Sequence, residues 1–107
     1  MSRVRVLKVV DLPKGALRCV RAADEELLLA HTDEGDVFAV EDRCSHDGGS
    51  FEEGGLSGNV LTCPRHGAAF DLADGRALRM PAVAPIETYP VRVTDDGWVE
   101  VEMEDDE

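Results

Sequence analysis

Long apolar stretches are missing from this chain. The longest clear run is Leu27 to Ala30, far short of the roughly 18 residues needed to cross a bilayer. The opening Met1-Ser2-Arg3-Val4-Arg5 alternates charge with valine and lacks the continuous apolar centre of a secretory signal. A cytoplasmic protein is therefore expected. A paired set of cysteines is missing as well. The three stand at 19, 44 and 63, an odd number that cannot form the staples of a small secreted domain and that fits metal binding or reduced thiols better. Positive charge is scarce: 11 Lys/Arg against 23 Asp/Glu leave a net −12. That balance excludes the basic footprint required by nucleic acid or an anionic membrane and favours a protein partner. No internal repeat, no phosphate-binding glycine loop and no carboxylate-histidine iron site can be argued from spacing, so nothing points to catalysis on a substrate of its own.

What is present is a series of short extended segments. At 107 residues the chain fits one folding unit, 1–107, large enough to bury a single core. Arg3-Val4-Arg5-Val6 alternates with period two and opens as a half-buried strand, broken by Asp11-Leu12-Pro13-Lys14-Gly15. Ala16 to Arg21 and Val37 to Glu41 are further strands. Between them, Asp24-Glu25-Glu26 could start a helix, but too few residues precede the next turn, Asp33-Glu34-Gly35-Asp36, and a strand from Glu26 to His31 is favoured. From Arg43 to Gly58 the pattern disappears and five glycines fall together, which reads as a loop. Val60-Leu61-Thr62 leads into a second irregular stretch, Cys63 to Gly67. Ala68 to Phe70 and Arg76 to Leu78 flank Asp74-Gly75 as a hairpin. Pro81, Pro85 and Pro90 mark a connection that cannot sit in the middle of a sheet. Val91 to Thr94, the turn Asp95-Asp96-Gly97 and Trp98 to Met103 form a final hairpin, with Val99, Val101 and Met103 on one face. Acidic residues dominate the end, so 103–107 is expected as a solvated, mobile tail. The pattern is that of an all-β, antiparallel sandwich or barrel, with the loops at 43–58 and 63–67 projecting from one end.

Those two loops contain the sequence's chemistry. Cys44-Ser45-His46 and Cys63-Pro64-Arg65-His66 each offer one thiolate and one imidazole, separated by residues 47–62. Brought together, they could place two cysteines on one metal and two histidines on another, as a binuclear cluster requires. A single tetrahedral zinc remains an alternative, although zinc fingers usually pair Cys with Cys and His with His. Cys19, alone in an apolar alternation, reads as a buried structural thiol. His31 likewise has no cysteine spacing around it and reads as structural or solvent-facing. Glu41, Asp42, Asp47, Glu52 and Glu53 crowd the first loop against Arg43 alone. If they ring the site, they would steer basic partner surfaces toward it.

The resemblance extends beyond these four side chains. Cys44-Ser45-His46-Asp47-Gly48 through Phe51 and Gly54, then Leu56-Ser57-Gly58 and Cys63-Pro64-Arg65-His66-Gly67 with Phe70-Asp71, resemble the Rieske family, and within it the ferredoxins of bacterial ring-hydroxylating oxygenases. Val37-Phe38-Ala39-Val40 and Tyr89-Pro90-Val91-Arg92-Val93 fit as well. The resemblance implies one [2Fe-2S] cluster per chain, with Cys44 and Cys63 on one iron and His46 and His66 on the other. It implies an all-β Rieske domain whose cluster-binding subdomain covers about 42–82. It also implies a one-electron carrier, not an enzyme, that passes electrons from a flavin-dependent reductase to a terminal oxygenase. A monomer is expected, with His46 and His66 as the electron's exit. Respiratory Rieske proteins carry a disulfide and two hydroxyl donors where this chain has Gly49 and Arg65, Ala68 and Phe70. Fewer donors to the sulfurs imply a potential near the low end of the Rieske range, roughly −150 mV. The competing readings are a small subunit of a larger redox enzyme such as a nitrite-reductase-like assembly, and a structural zinc module.

Overall fold

β-Branched and leucine-rich segments separated by glycine turns leave little for helices. The computed structural model, which describes residues 2–44, 48–64, 67–80 and 84–103, is built almost wholly of strands. These are β1 Ser2–Lys8, β2 Leu17–Ala22, β3 Glu25–His31, β4 Val37–Glu41, β5 Gly55–Ser57, β6 Val60–Thr62, β7 Ala69–Asp71, β8 Ala77–Arg79, β9 Thr88–Tyr89, β10 Val91–Val93 and β11 Trp98–Met103. A single 3-10 turn, Val9–Asp11, follows β1 among the described residues. The strands form a terminal sheet β1-β11-β10, a central sheet β2-β3-β4-β9 and a distal sheet β5-β6-β7-β8. Every pairing is antiparallel.

The central sheet is covered on both faces, and β3 shows why. Successive strand residues point to opposite sides. Leu28 and Ala30 enter one core with Val40, while Leu27 and Leu29 enter a second core with Ala39. Burying each leucine fully contributes about 1.5–3 kcal/mol, so the run that hides the period-two pattern in the sequence is the strand on which both cores are built. The second core is completed by Val99, Val101 and Met103 of β11, the face expected from the alternation. The first core is completed by Leu61 and Phe70 of the distal sheet, by Leu72 just after β7, and by Cys44, Cys63 and Phe51. The central sheet therefore separates the terminal sheet from the layer that holds the two cysteines.

Most of the expected strands are found within a residue or two of their predicted ends. One correction concerns the stretch 43–58, expected to be irregular throughout. Its last part forms β5, which pairs with β6 through Gly55↔Thr62, Leu56↔Leu61 and Ser57↔Val60. A three-residue strand bounded by glycines carries too few side chains to show a period. At Pro85 and Pro90 the proline-marked connection behaves as anticipated, and Pro81 lies outside the described residues. β9 is an edge strand of two residues, and Pro90 is the point where the chain crosses from the central to the terminal sheet, its carbonyl accepting the Glu102 N–H at 2.9 Å. Met103, expected as the start of the solvated tail, instead ends β11 with its side chain in the core, and 104–107 lie outside the described residues. No helix among the described residues is long and apolar enough to cross a membrane.

Candidate metal centre

Cys44 follows β4 and Cys63 follows β6, and the chain treats the two positions alike. Cys44 donates its N–H to the carbonyl of Gly49 at 2.9 Å and accepts the N–H of Gly48 at 2.7 Å. Cys63 donates to the carbonyl of Ala68 at 2.7 Å and accepts the N–H of Gly67 at 3.3 Å. Each loop thus closes on its cysteine through the residues four and five places along. In both, the fourth residue is a glycine in the left-handed region, Gly48 at φ 74° and Gly67 at φ 75°, where a Cβ would cost about 1–2 kcal/mol. Two loops closed by the same backbone bonds leave from neighbouring parts of the fold, each with a cysteine at its root.

The loops share a floor. Cys44 and Cys63 are 1% and 2% exposed and belong to the same buried cluster as Phe51 and Phe70. The two rings meet edge to face, 5.5 Å apart at 78°, a favoured aromatic geometry. Each phenylalanine lies seven residues after its cysteine, so the ring pair repeats the symmetry of the loops. The end of the first loop is pressed against the start of the second: a Cβ on Gly54 would come within 2.3 Å of the Thr62 carbonyl and 3.4 Å of Pro64. Ala68 and Phe70, both fully buried, carry no hydroxyl toward this floor.

Of the four predicted ligands, the structure brings Cys44 and Cys63 together; His46 and His66 lie outside the described residues. Among the described residues, no three His, Cys, Asp or Glu side chains converge as a further metal site. His31 is held away from the loops, its Nδ1 2.7 Å from the Leu12 carbonyl, in keeping with the structural role expected of it. Cys19 differs from expectation in being half-buried instead of buried. Its thiol is pushed up to about 12 by burial, then by a hydrogen bond to Asp42 and the charges of Asp42, Glu52 and Glu26.

Most of the acidic run is committed to the backbone. Asp42 is 7% exposed and accepts from Phe51 N–H and Ser50 Oγ–H, both at 2.8 Å. Glu41 accepts the Glu87 N–H at 2.9 Å and Glu52 the Cys19 N–H at 3.0 Å. Glu53 stays exposed, and Asp47 is outside the described residues. Three of the five carboxylates therefore hold backbone in place. In the sequence all five form one charged stretch, because a carboxylate committed to an amide and one facing solvent look the same there.

Two buried sulfur donors at equivalent roots of matching loops fit the cysteine side of a mixed Cys/His cluster, and each loop carries one histidine in the segment between its cysteine and its glycine. Comparison with known proteins agrees. The family described as Rieske [2Fe-2S] domain matches residues 2–90. The 3-phenylpropionate/cinnamic acid dioxygenase ferredoxin subunit of Photorhabdus laumondii is 46% identical over 96 residues, 89% of this chain and 90% of that protein. Among solved structures, the ferredoxin of Sphingomonas yanoikuyae B1 superposes with a TM-score of 0.88 at 32% identity, covering 96% of this chain and all of that one. A structure named as the complex of reduced oxygenase and oxidized ferredoxin in carbazole 1,9a-dioxygenase matches with a TM-score of 0.83 at 33% identity, covering 92% of this chain and 100% of the other. The chain belongs to the Rieske [2Fe-2S] domain family and binds one [2Fe-2S] cluster.

Proposed function

We propose that Cys44 and Cys63 ligate one iron and His46 and His66 the other, and that the chain is a cytoplasmic, monomeric one-electron carrier between a flavin-dependent reductase and a terminal oxygenase. On this reading residues 1–107 act as one unit, with 42–82 bearing the cluster. The observation that carries it is the matched pair of loops, each rooted in a buried cysteine and closed by a left-handed glycine. The names of the relatives supply the setting: a dioxygenase ferredoxin subunit at 46% identity, and a ferredoxin in complex with an oxygenase at 33%.

When bound, the cluster supplies a single centre that accepts and gives up one electron. The chain's own residues shape its surroundings. Phe51 and Phe70 close the floor beneath the sulfurs and exclude water. Gly48 and Gly67 let the backbone turn back on each cysteine. Ala68 and Phe70 provide no hydroxyl donor, and donors to cluster sulfurs are among the protein's levers on potential.

Anaerobically purified protein is expected to be reddish-brown and, once reduced, to give the low-average-g EPR signal of mixed Cys/His ligation, with a midpoint near roughly −150 mV. Cys44→Ser and His66→Ala should each abolish that signal. A pale preparation holding one tetrahedral zinc would overturn the proposal, and a midpoint well above zero would remove the low-potential role.

A further inference from the structure

The two loops close on their cysteines by the same backbone bonds but are fastened at their bases by different means. In the second, the residues two before and seven after the cysteine, Leu61 and Phe70, are register partners in the β6–β7 ladder, with Thr62↔Ala69 beside them. The equivalent residues of the first loop are Asp42 and Phe51. No strand pairing joins them; instead, the Asp42 carboxylate accepts the Phe51 N–H at 2.8 Å.

We propose that Asp42 is a positioning residue for the first ligand loop, its side chain doing there what a backbone ladder does in the second, and that Ser50 and Glu52 extend the fastening to β2. The chain of contacts is closed. Asp42 also accepts from Ser50 Oγ–H at 2.8 Å, Ser50 Oγ accepts the Glu52 N–H at 3.1 Å, and Glu52 accepts the N–H of Cys19 at 3.0 Å. Cys19 returns to Asp42 through its thiol. β2 is an edge of the central sheet, so the Cys19 N–H taken by Glu52 is one that no neighbouring strand receives. At the other end, the Asp42 N–H bonds the Glu26 carbonyl at 3.0 Å, anchoring the acid itself to β3. A buried charge held by several donors is costly to disturb, because losing one partner leaves the rest desolvated. Loosening this ring should therefore act on the Cys44 loop and leave the backbone-closed Cys63 loop in place.

The inference rests on Cys44 and His46 being cluster ligands, and the test separates the two claims. Holoprotein carrying Ser50→Ala, Asp42→Asn or, as a control, Glu53→Gln is compared with wild type by EPR, redox titration and the rate of cluster loss to a chelator. Ser50→Ala keeps every charge and removes only the hydroxyl. It should move the g values and speed cluster loss at least about fivefold, the worth of the hydrogen bond to the buried Asp42, while the exposed Glu52 N–H turns to water. Asp42→Asn should do both and also raise the midpoint potential, since a negative charge near the site disfavours the added electron. Glu53→Gln, exposed and outside the ring, should leave g values and loss rate as in wild type. If Ser50→Ala and a folded Asp42→Asn melt at lower temperature yet keep wild-type g values and potential, the role is merely structural and the inference fails; if Asp42→Asn does not fold, Ser50→Ala decides alone. Wild-type protein without the mixed-ligand signal would instead bring down the ligand assignment, and this inference with it.

Discussion

At Cys19, burial, a hydrogen bond to Asp42 and three nearby carboxylates act in one direction, pushing the thiol up to about 12. Only the thiolate is a strong nucleophile. In holoprotein at pH 8, iodoacetamide should therefore label Cys19 at least about tenfold more slowly than in the denatured chain, followed by mass spectrometry. Labelling at the denatured rate would contradict the network around Asp42. The same shift sets a pH dependence. Folding raises this acid from 9.0 toward 12, so between those values the unfolded chain releases a proton that the folded chain keeps, and stability falls as pH rises through that window. Tyr89, raised from 10.0 to about 12 by burial and by Glu87, Glu25 and Glu41, adds to the loss in the same sense. At this scale the sequence was legible for residue types whose spacing carries chemistry: Cys44 and Cys63 stand where matched C-x-H and C-x-x-H motifs put them. Asp42 and Ser50 were not legible, because an aspartate joined to a serine eight residues away has no period and no motif.

Among the elements, the β2–β3 hairpin is the one whose sequence pulled two ways. Ala22 and Glu25 are paired, which leaves a two-residue loop with Ala23 at φ 48° and Asp24 at φ 67°. Both central residues are left-handed, as in a type I′ turn, where Asn-Gly is favoured. Alanine there is strained and gives no turn signal, and Asp24-Glu25-Glu26 before three leucines mimics a helix start. The leucines lack alternation because β3 is buried on both sides. Pattern therefore settled the strand only through the short distance to the next turn, whereas β4 and β11, each with an easily read turn before it, are found as expected. Replacing Ala23-Asp24 by Asn-Gly should relieve the left-handed strain and stabilise the protein by about 1 kcal/mol, an increase of about 4 °C or more in melting temperature. A calorimetric scan showing no gain would mean that the turn is not of this type.

For the whole molecule, the order of the layers gives the uneven charge a direction. The first 23 residues hold six of the eleven basic side chains and one acid. On the outer face of the terminal sheet, Arg5 lies 3.1 Å and Arg92 3.8 Å from Glu100, while Arg5 and Lys8 stand over Trp98 at 5.6 and 5.4 Å. The central sheet separates that face from the cysteine loops, so it lies two layers away from them, beyond the roughly 8 Å over which charges act at physiological salt. Beside the loops, Glu53 is exposed and follows the Glu52 that holds β2. Partner recognition by the cluster end should thus depend on carboxylates there and hardly at all on the basic face. In stopped-flow reduction by the partner reductase, the wild-type rate should fall as salt rises. Glu53→Lys should slow it several-fold at low salt and converge with wild type at high salt, while Arg92→Glu stays within about twofold throughout. A rate insensitive to salt, or one that responds more to Arg92 than to Glu53, would show that partners approach from the terminal sheet and that this reading of the field is reversed.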